Sequence, residues 1–209
     1  SGIQVTVVEA VDQVLTFLDW DLAQLVENHM KAKGAQVRTG IGVKEFVGQG
    51  DRLTGVKLAD GSVIECSLAV MAIGVRPNSE LAREAGLAVG TFGGIAVNEY
   101  MQTSDPDIYA AGDCAEIPSR ITGSPTFAPM GDLANLEGRV AGENVIAGNT
   151  VTFPGTAHTG ICKIFDFAAG STGLSEKAAQ RLGLTGYTAV VNASPDKPGF
   201  MGAQILISK

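Results

Sequence analysis

A run of six apolar residues, 68–73, constrains the fold of this chain more than any other segment. A continuous apolar run that stops at a glycine, here Gly74, is typical of a parallel β-strand buried on both faces. Such strands occur in sheets that helices cover on both sides. A β-branched run at 3–9 precedes an amphipathic run at 19–33 that stops at Gly34, which indicates a strand–helix unit. The sequence therefore predicts an α/β protein.

The rest of the chain predicts short elements separated by turn residues. We expect three blocks, residues 1–75, 76–148 and 149–209. Within them, strands are expected at 37–39, 43–47, 53–58, 62–65, 95–97, 108–111, 161–165, 188–192 and 203–207, and helices at 79–85, 132–146 and 175–182.

Charge and composition limit the kinds of molecule that this chain is expected to bind. The net charge of -7 and the isoelectric point near 4.8 argue against nucleic acid or an anionic membrane, because both would repel an acidic surface. A small-molecule ligand is expected instead. No apolar run approaches the roughly 20 residues of a membrane-spanning helix, and the first residues lack a signal-peptide pattern. We therefore expect a cytoplasmic protein with no membrane partner.

The three cysteines, Cys66, Cys114 and Cys162, lie far apart and form no CxxC pair. This spacing argues against a zinc site and against a disulfide scaffold. We expect no bound metal, and we expect thiols that are reduced and mostly buried.

The segment 103–113 ends in a predicted strand, 108–111, followed directly by Gly112 and Asp113. Glycine lets a backbone approach a ligand closely, and an ionised carboxylate accepts strong hydrogen bonds from sugar-like hydroxyls. Taken alone, the Gly-Asp pair is typical of an ordinary turn at a strand end. The longer string resembles the second flavin motif of the FAD-dependent pyridine nucleotide-disulfide oxidoreductases, whose aspartate binds the ribityl chain of FAD.

Glu9 stands at the end of the strand predicted at 3–9. A carboxylate at the end of the second strand of a dinucleotide-binding unit binds the adenosine ribose and repels the 2′-phosphate of NADP. No Lys or Arg occurs at 10–25 to neutralise that phosphate, so NADH is expected to be preferred over NADPH. The alternative is an acid that caps a turn. The glycine clusters at 40–42 and 48–50 are interpreted as turns, and the chain lacks the glycine fingerprint that precedes such a strand.

A helix is predicted to start just after Met130, Gly131 and Asp132. The free N–H groups and the positive dipole end of a helix stabilise negative charge on a ligand. An ordinary helix with Val140, Ala141 and Val145 facing a core is the alternative. In the family, the equivalent helix points at the pyrimidine edge of the flavin.

Five motifs extend the resemblance over nearly the whole chain. They are the strand ending in Glu9 and the segments 72–78, 103–116, 137–144 and 173–176. They resemble one subgroup, which contains the coenzyme A-disulfide reductases, NADH oxidases and NADH peroxidases. The resemblance implies an α/β fold, namely part of a three-layer FAD/NAD(P)-binding fold followed by part of an α+β dimerisation domain. It also implies that Gly74 lines the NADH site, that Phe17 packs near the adenosine, and that Met130, Gly131 and Asp132 contact FAD.

In these terms, the block 1–75 is the second half of an NAD-binding domain. The block 76–148 is the C-terminal part of an FAD-binding domain, and 149–209 is the first part of an interface domain that forms a homodimer. The chain resembles the middle of a family member, and the redox cysteine is expected in a missing N-terminal part. Cys114 is not assigned that role, so no catalytic residue is expected in this chain.

The resemblance implies an enzyme that passes hydride from NADH to FAD and on to a small redox substrate, a disulfide, persulfide, peroxide or oxygen. Phe200 stands where the coenzyme A-disulfide reductases carry a tyrosine, and a phenyl ring has no proton to donate. This departure argues against reduction of coenzyme A disulfide by the usual residues. The fragment alone is expected to be inactive. The alternative is a truncated, catalytically silent module that dimerises or regulates.

Overall fold

The computed structural model describes residues 2–209 and divides the chain into two compact units. The first unit contains the residues up to Met71 together with 160–209, and the second unit contains 72–159. The helices are α1 (Trp20–Ala32), α2 (Glu80–Glu84), α3 (Gly131–Ala147) and α4 (Glu176–Arg181), with a 3-10 turn at Gly199–Met201. The strands are β1 (Thr6–Val8), β2 (Gln36–Arg38), β3 (Val43–Gln49), β4 (Arg52–Leu58), β5 (Val63–Glu65), β6 (Ile95–Ala96), β7 (Ala115–Pro118), β8 (Pro125–Thr126), β9 (Gly160–Ile164), β10 (Phe167–Ser171), β11 (Asn192–Pro195) and β12 (Ile205–Ser208).

The first unit is built from one parallel strand pair and three antiparallel groups. β1 and β2 run parallel and are joined by α1, so the predicted strand–helix unit is confirmed. β3, β4 and β5 form an antiparallel sheet, and β9–β10 and β11–β12 form two hairpins. The core of this unit lies between α1 and the β9–β10 hairpin. It contains Leu18, Ala23, Val26 and Ala169.

The second unit is organised around β7. This strand pairs in parallel with β6 and antiparallel with β8, and its first three residues are buried. α3 packs against it through Ala141, and Met101, Ile117 and Phe153 complete the core cluster. Parallel pairs and helices occur in both units, so the predicted α/β class is confirmed.

The predicted strand at 68–73 is wrong. Residues 66–79 contain no strand or helix, and Leu68 and Ile73 are 78% and 85% exposed. A strand requires a neighbour that accepts and donates its backbone hydrogen bonds. None of the strands among residues 2–209 pairs with this segment. An apolar run forms a buried strand only where such a neighbouring strand exists. Composition alone therefore predicted the burial of residues 68–73 wrongly.

Two further strand predictions need correction. Residues 108–111 are not a strand but an extended segment with one isolated bridge, between Gln102 and Tyr109. The strand predicted at 188–192 begins only at Asn192. Asn192 is the first residue that pairs with β12, opposite Ser208, and residues 188–191 have no strand partner among the described residues. The sequence also missed β10, a strand with several small residues that pairs with β9. The turn between these strands contains Phe165 in a positive-φ conformation, so no glycine marks the turn in the sequence.

No helix within residues 2–209 combines the length and the apolar character needed to cross a membrane.

Candidate functional site

The tip formed by Gly112 and Asp113 lies beside the first turns of α3. Gly112 has a backbone φ of +83°, a conformation that strains residues with a side chain. Its N–H donates a hydrogen bond of 2.6 Å to Oε2 of Glu137. A Cβ atom placed on Gly112 would lie 3.5 Å from Cβ of Ala134. The turn conformation therefore requires the glycine, whereas a Cβ atom here would make only ordinary van der Waals contact with α3.

Asp113 presents its carboxylate to solvent from this tip. The residue is exposed, and within residues 2–209 no hydrogen bond to its side chain is found. The backbone on either side is fixed, because Ala115 N–H donates to the Gly112 carbonyl at 2.9 Å and Ala115 begins β7. Before the tip, Tyr109 and Ala111 pack against the core cluster. A free carboxylate thus projects from an anchored turn, which is the arrangement that a polyol-binding acid requires.

Glu137 is the residue that sequence reasoning missed at this site. Its side chain is 2% exposed and contacts the tip from α3. Burial raises the pKa of this carboxyl and outweighs the hydrogen bond from Gly112, and the nearby charge of Asp113 raises the pKa further. The buried residues of α3 are Glu137, Ala141 and Asn144. A charged residue in register with this inward-facing stripe was the signal that could have identified it.

The start of α3 supplies a second group of accessible polar atoms. Met130 precedes the helix in an extended conformation and gives no side-chain cap. The first-turn N–H groups therefore lack a capping side chain, and such groups bind anionic or electron-rich ligand atoms. Met130 is half-buried, and Gly131 and Asp132 are exposed. Because Ala134 lies next to Gly112, the structure brings the helix start and the tip to the same place.

Glu9 follows the C-terminal end of β1, where the sequence placed it. Its N–H donates to the carbonyl of Arg38 at 2.9 Å, and its Oε1 accepts the N–H of Val11 at 3.1 Å. The second contact is the turn-capping role considered as the alternative. Phe17 lies in the same connection between β1 and α1 and is 42% exposed. Both side chains remain accessible to a ligand.

Arg38 is a cation next to Glu9 in the fold but not in the sequence. It ends β2, directly beside β1 in the parallel pair. Hydrogen bonds from Ser62 hold the pKa of Asp60 below its usual range, and the charge of Arg38 contributes to the same shift. Arg38 therefore faces an acidic partner.

Gly74 belongs to the second unit and has a φ of +92° with no atom within 4 Å of an added Cβ. The space around it is open.

The three cysteines are free and partly buried. The thiol of Cys114 donates to the Ala111 carbonyl at 3.5 Å, behind the tip. Residues 2–209 contain no cluster of three or more His, Cys, Asp or Glu side chains that could hold a metal ion. Phe200 lies in the turn Gly199–Met201 and is 91% exposed.

The sequence and the structure both match known oxidoreductases. The family model described as pyridine nucleotide-disulphide oxidoreductase matches residues 1–130. An NADH oxidase of Methanocaldococcus jannaschii is 42% identical over 85% of this chain and 39% of its own length. A solved NAD-dependent persulfide reductase from A. fulgidus superposes with a TM-score of 0.93 at 44% identity, over 98% of this chain and 38% of that one. The chain belongs to the pyridine nucleotide-disulfide oxidoreductase family, and the resemblance inferred from its motifs is confirmed.

A water-forming NADH oxidase from Lactobacillus brevis, bound to NADH, superposes with a TM-score of 0.89 at 29% identity. That match covers 99% of this chain and 45% of the oxidase. An engineered NADPH oxidase made from the same enzyme also superposes with a TM-score of 0.89, at 28% identity and over the same shares of the two chains. Its five substitutions remove one aspartate and introduce two arginines. The chain spans 38–45% of the length of these four relatives.

Proposed function

We propose that this chain is part of an FAD-containing enzyme that takes hydride from NADH and delivers electrons to a disulfide, persulfide, peroxide or oxygen. The family uses FAD together with NADH or NADPH, which supports the general chemistry. The observation that carries the proposal is the exposed carboxylate of Asp113, which has no hydrogen bond within residues 2–209, on an anchored tip beside the start of α3. Bound FAD would supply the two-electron exchange between NADH and the acceptor.

The residues at the tip fit the two polar regions of such a ligand. The Asp113 carboxylate would accept hydrogen bonds from ribityl hydroxyls, and these charge-assisted bonds are stronger than neutral ones. Gly112 would let the ligand approach the backbone. The N–H groups of Gly131 and Asp132, with the positive end of the α3 dipole, would stabilise negative charge at the ligand edge. Met130 would contribute an apolar contact.

Glu9 supports NADH as the preferred nucleotide. Its carboxylate would accept hydrogen bonds from the adenosine ribose and would repel a 2′-phosphate, while Asp60 offsets the charge of Arg38. Phe17 would pack near the adenosine, and Gly74 would leave room in the NADH site. The engineered NADPH oxidase agrees with this electrostatic logic, because its substitutions remove an acid and add arginines.

The proposed organisation has three parts. Residues 1–75 belong to the NAD-binding domain, 76–148 to the FAD-binding domain, and 149–209 to an interface domain that forms a homodimer. All four residues of β12 are exposed and three are apolar, which favours association of this last part with another surface. The acidic net charge of -7 supports a small redox substrate in the cytoplasm over a nucleic-acid or membrane partner.

The flavin assignment is tested by Asp113→Ala in the full-length protein. We expect FAD retention to fall by about tenfold or more, since a hydrogen-bonded charge contributes roughly 1.5–3 kcal/mol. The measurement is the FAD-to-protein ratio after gel filtration, with the dissociation constant determined by titrating apoprotein. Asp107→Ala is the matched control, because Asp107 is an exposed aspartate in the same segment. Retention by Asp113→Ala equal to the control would refute the flavin assignment.

A further inference from the structure

The backbone of the Gly112–Asp113 tip needs a partner to define its conformation. Glycine has access to more backbone conformations than any other residue. Gly112 lets a ligand approach the backbone closely, but for the same reason its own conformation is weakly restricted. Gly112 is held at a φ of +83°. Its N–H has one recorded acceptor, Oε2 of Glu137, at 2.6 Å. Besides the bond from the Ala115 N–H to the Gly112 carbonyl, the tip is thus held by a side chain that lies 25 residues further along the chain.

Glu137 is itself held rigidly. It is 2% exposed and lies on the buried stripe of α3 with Ala141 and Asn144. Asn144, two turns later, fixes the chain at the other end of the helix through four hydrogen bonds to residues 100, 150 and 151. Ala134, one turn before Glu137, lies next to Gly112. The contact therefore joins the tip to the same helix whose start carries Gly131 and Asp132.

We propose that Glu137 is a positioning residue for flavin binding, whose buried carboxylate fixes the Gly112 peptide against α3 and thereby sets Asp113 at a defined distance from the helix start. This inference rests on the proposed function. Positioning matters because a ligand that contacts both groups loses affinity when one of them must first be ordered.

The position of Glu137 requires a hydrogen-bond acceptor for the Gly112 N–H and does not require a negative charge. Burial and the neighbouring charge of Asp113 raise the pKa of Glu137, so the site favours the neutral acid more than water does. A neutral carboxyl group still accepts the Gly112 N–H through one oxygen, and a glutamine amide does the same. Asp113 is the titratable group that shifts this carboxyl, and it faces Glu137 from the tip.

The experiment compares three variants of the full-length protein. Glu137→Met removes the acceptor at nearly constant size, Glu137→Gln keeps an acceptor, and Glu143→Met is the control on an exposed position of the same helix. We expect the FAD dissociation constant of Glu137→Met to rise by about tenfold. We expect Glu137→Gln and the control to stay within about twofold of wild type.

A structural role alone would not produce the first of two further results. In an Asp113→Asn background, the effect of Glu137→Met on FAD affinity should shrink several-fold, because Glu137 acts through Asp113. Amide exchange at Gly112 in the apoprotein should be faster in Glu137→Met than in the control. Unchanged FAD affinity in Glu137→Met, strictly additive double-mutant effects, or a tenfold loss in a folded Glu137→Gln would each overturn the proposal.

Two outcomes separate this inference from the proposed function. If the wild-type protein binds no FAD, the proposed function fails, and Glu137 cannot position a flavin. If FAD binds and Asp113→Ala abolishes binding while Glu137→Met has no effect, only the inference fails. If Glu137→Met does not fold, the amide of Gly112 in the wild-type apoprotein decides, since protection from exchange supports the contact and exchange at an unstructured rate refutes it.

Discussion

Two carboxylates at the tip show how environment gives similar side chains different tasks. Asp113 is exposed and carries no recorded hydrogen bond within residues 2–209, so it is available to a ligand. Glu137 is buried, accepts the Gly112 N–H and has a raised pKa for which burial is the main cause. In our proposals, Asp113 binds the flavin and Glu137 positions the tip. Neither task can be assigned from residue type, because both depend on what surrounds the carboxyl group.

Glu9 is predicted to set the nucleotide preference through its charge. Glu9→Gln keeps an acceptor for the Val11 N–H and removes the charge, so it separates ligand repulsion from turn capping. We expect the ratio of kcat/KM for NADH over that for NADPH to fall by about fivefold to tenfold, as for a loss of roughly 1 kcal/mol of discrimination. Steady-state kinetics of the full-length enzyme measure this ratio.

Asp12→Asn is the control for Glu9, because Asp12 is exposed in the same connection. An unchanged ratio in both Glu9→Gln and Glu9→Ala would remove Glu9 from the nucleotide site.

Helix α3 makes side-chain hydrogen bonds to loop segments near both of its ends. Glu137 binds the tip near the N-terminal end, and Asn144 binds the chain near the C-terminal end. The amide of Asn144 is 1% exposed, donates to the carbonyls of Tyr100 and Val151, and accepts the N–H groups of Thr150 and Val151. One side chain therefore satisfies four backbone groups.

Asn144→Ala is predicted to destabilise the protein by about 2–4 kcal/mol, because buried backbone groups would be left without partners. Asn135→Ala is the matched control, since Asn135 is exposed on the same helix and its change should cost less than about 0.5 kcal/mol. Urea unfolding of the apoprotein, followed by circular dichroism, gives both values. Equal stability of the two variants would show that the four bonds contribute nothing net.

Asp19 connects two helices that lie far apart in the sequence of the first unit. Its carbonyl accepts the N–H of Ala23 at the start of α1, and its carboxylate accepts the N–H groups of Glu176 and Lys177 at the start of α4, each at 3.1 Å. Burial acts to raise the pKa of Asp19, but these hydrogen bonds and the charge of Lys209 outweigh it and hold the pKa below the usual 3.8. The ionised form therefore stabilises the fold.

The sign of the pH dependence follows from this lowered pKa. The stabilisation is present above the unfolded-state pKa and is lost as the pH falls through the folded-state value. Asp19→Asn is expected to lower the free energy of unfolding by about 1 kcal/mol at pH 7, and the difference from wild type should shrink as the pH falls below the usual 3.8 toward the lowered folded-state pKa. Urea unfolding from pH 7 to pH 3 tests it, with Asp12→Asn as the exposed control. A difference that stays constant with pH would contradict the assignment.

At the scale of the whole molecule, the sequence predicted what depends on local pattern. The α/β class, α1, α3 and the Gly112–Asp113 tip each follow from neighbouring residues. The run at 68–73 was misassigned because its composition is apolar, whereas strand formation depends on partners elsewhere. Glu137 and the Asp19 contacts were missed for the same reason, since each joins residues that are distant in the sequence.

The contact of His29 with Asp166 shows the same limit. Nε2 of His29 lies 2.9 Å from Oδ1 of Asp166 at the tip of the β9–β10 hairpin, 137 residues away. Sequence spacing offered no sign of this pair, because it arises only when the hairpin packs against α1.

The proposed function requires that the protein carrying this chain holds FAD and reduces it with NADH. The most direct test is the absorption spectrum of the purified full-length protein, with its FAD-to-protein ratio, before and after anaerobic addition of NADH. We expect about one FAD per chain and bleaching of the flavin bands by NADH, with NADPH much less effective. A protein that is folded but free of flavin, and that binds none when FAD is added, would contradict it.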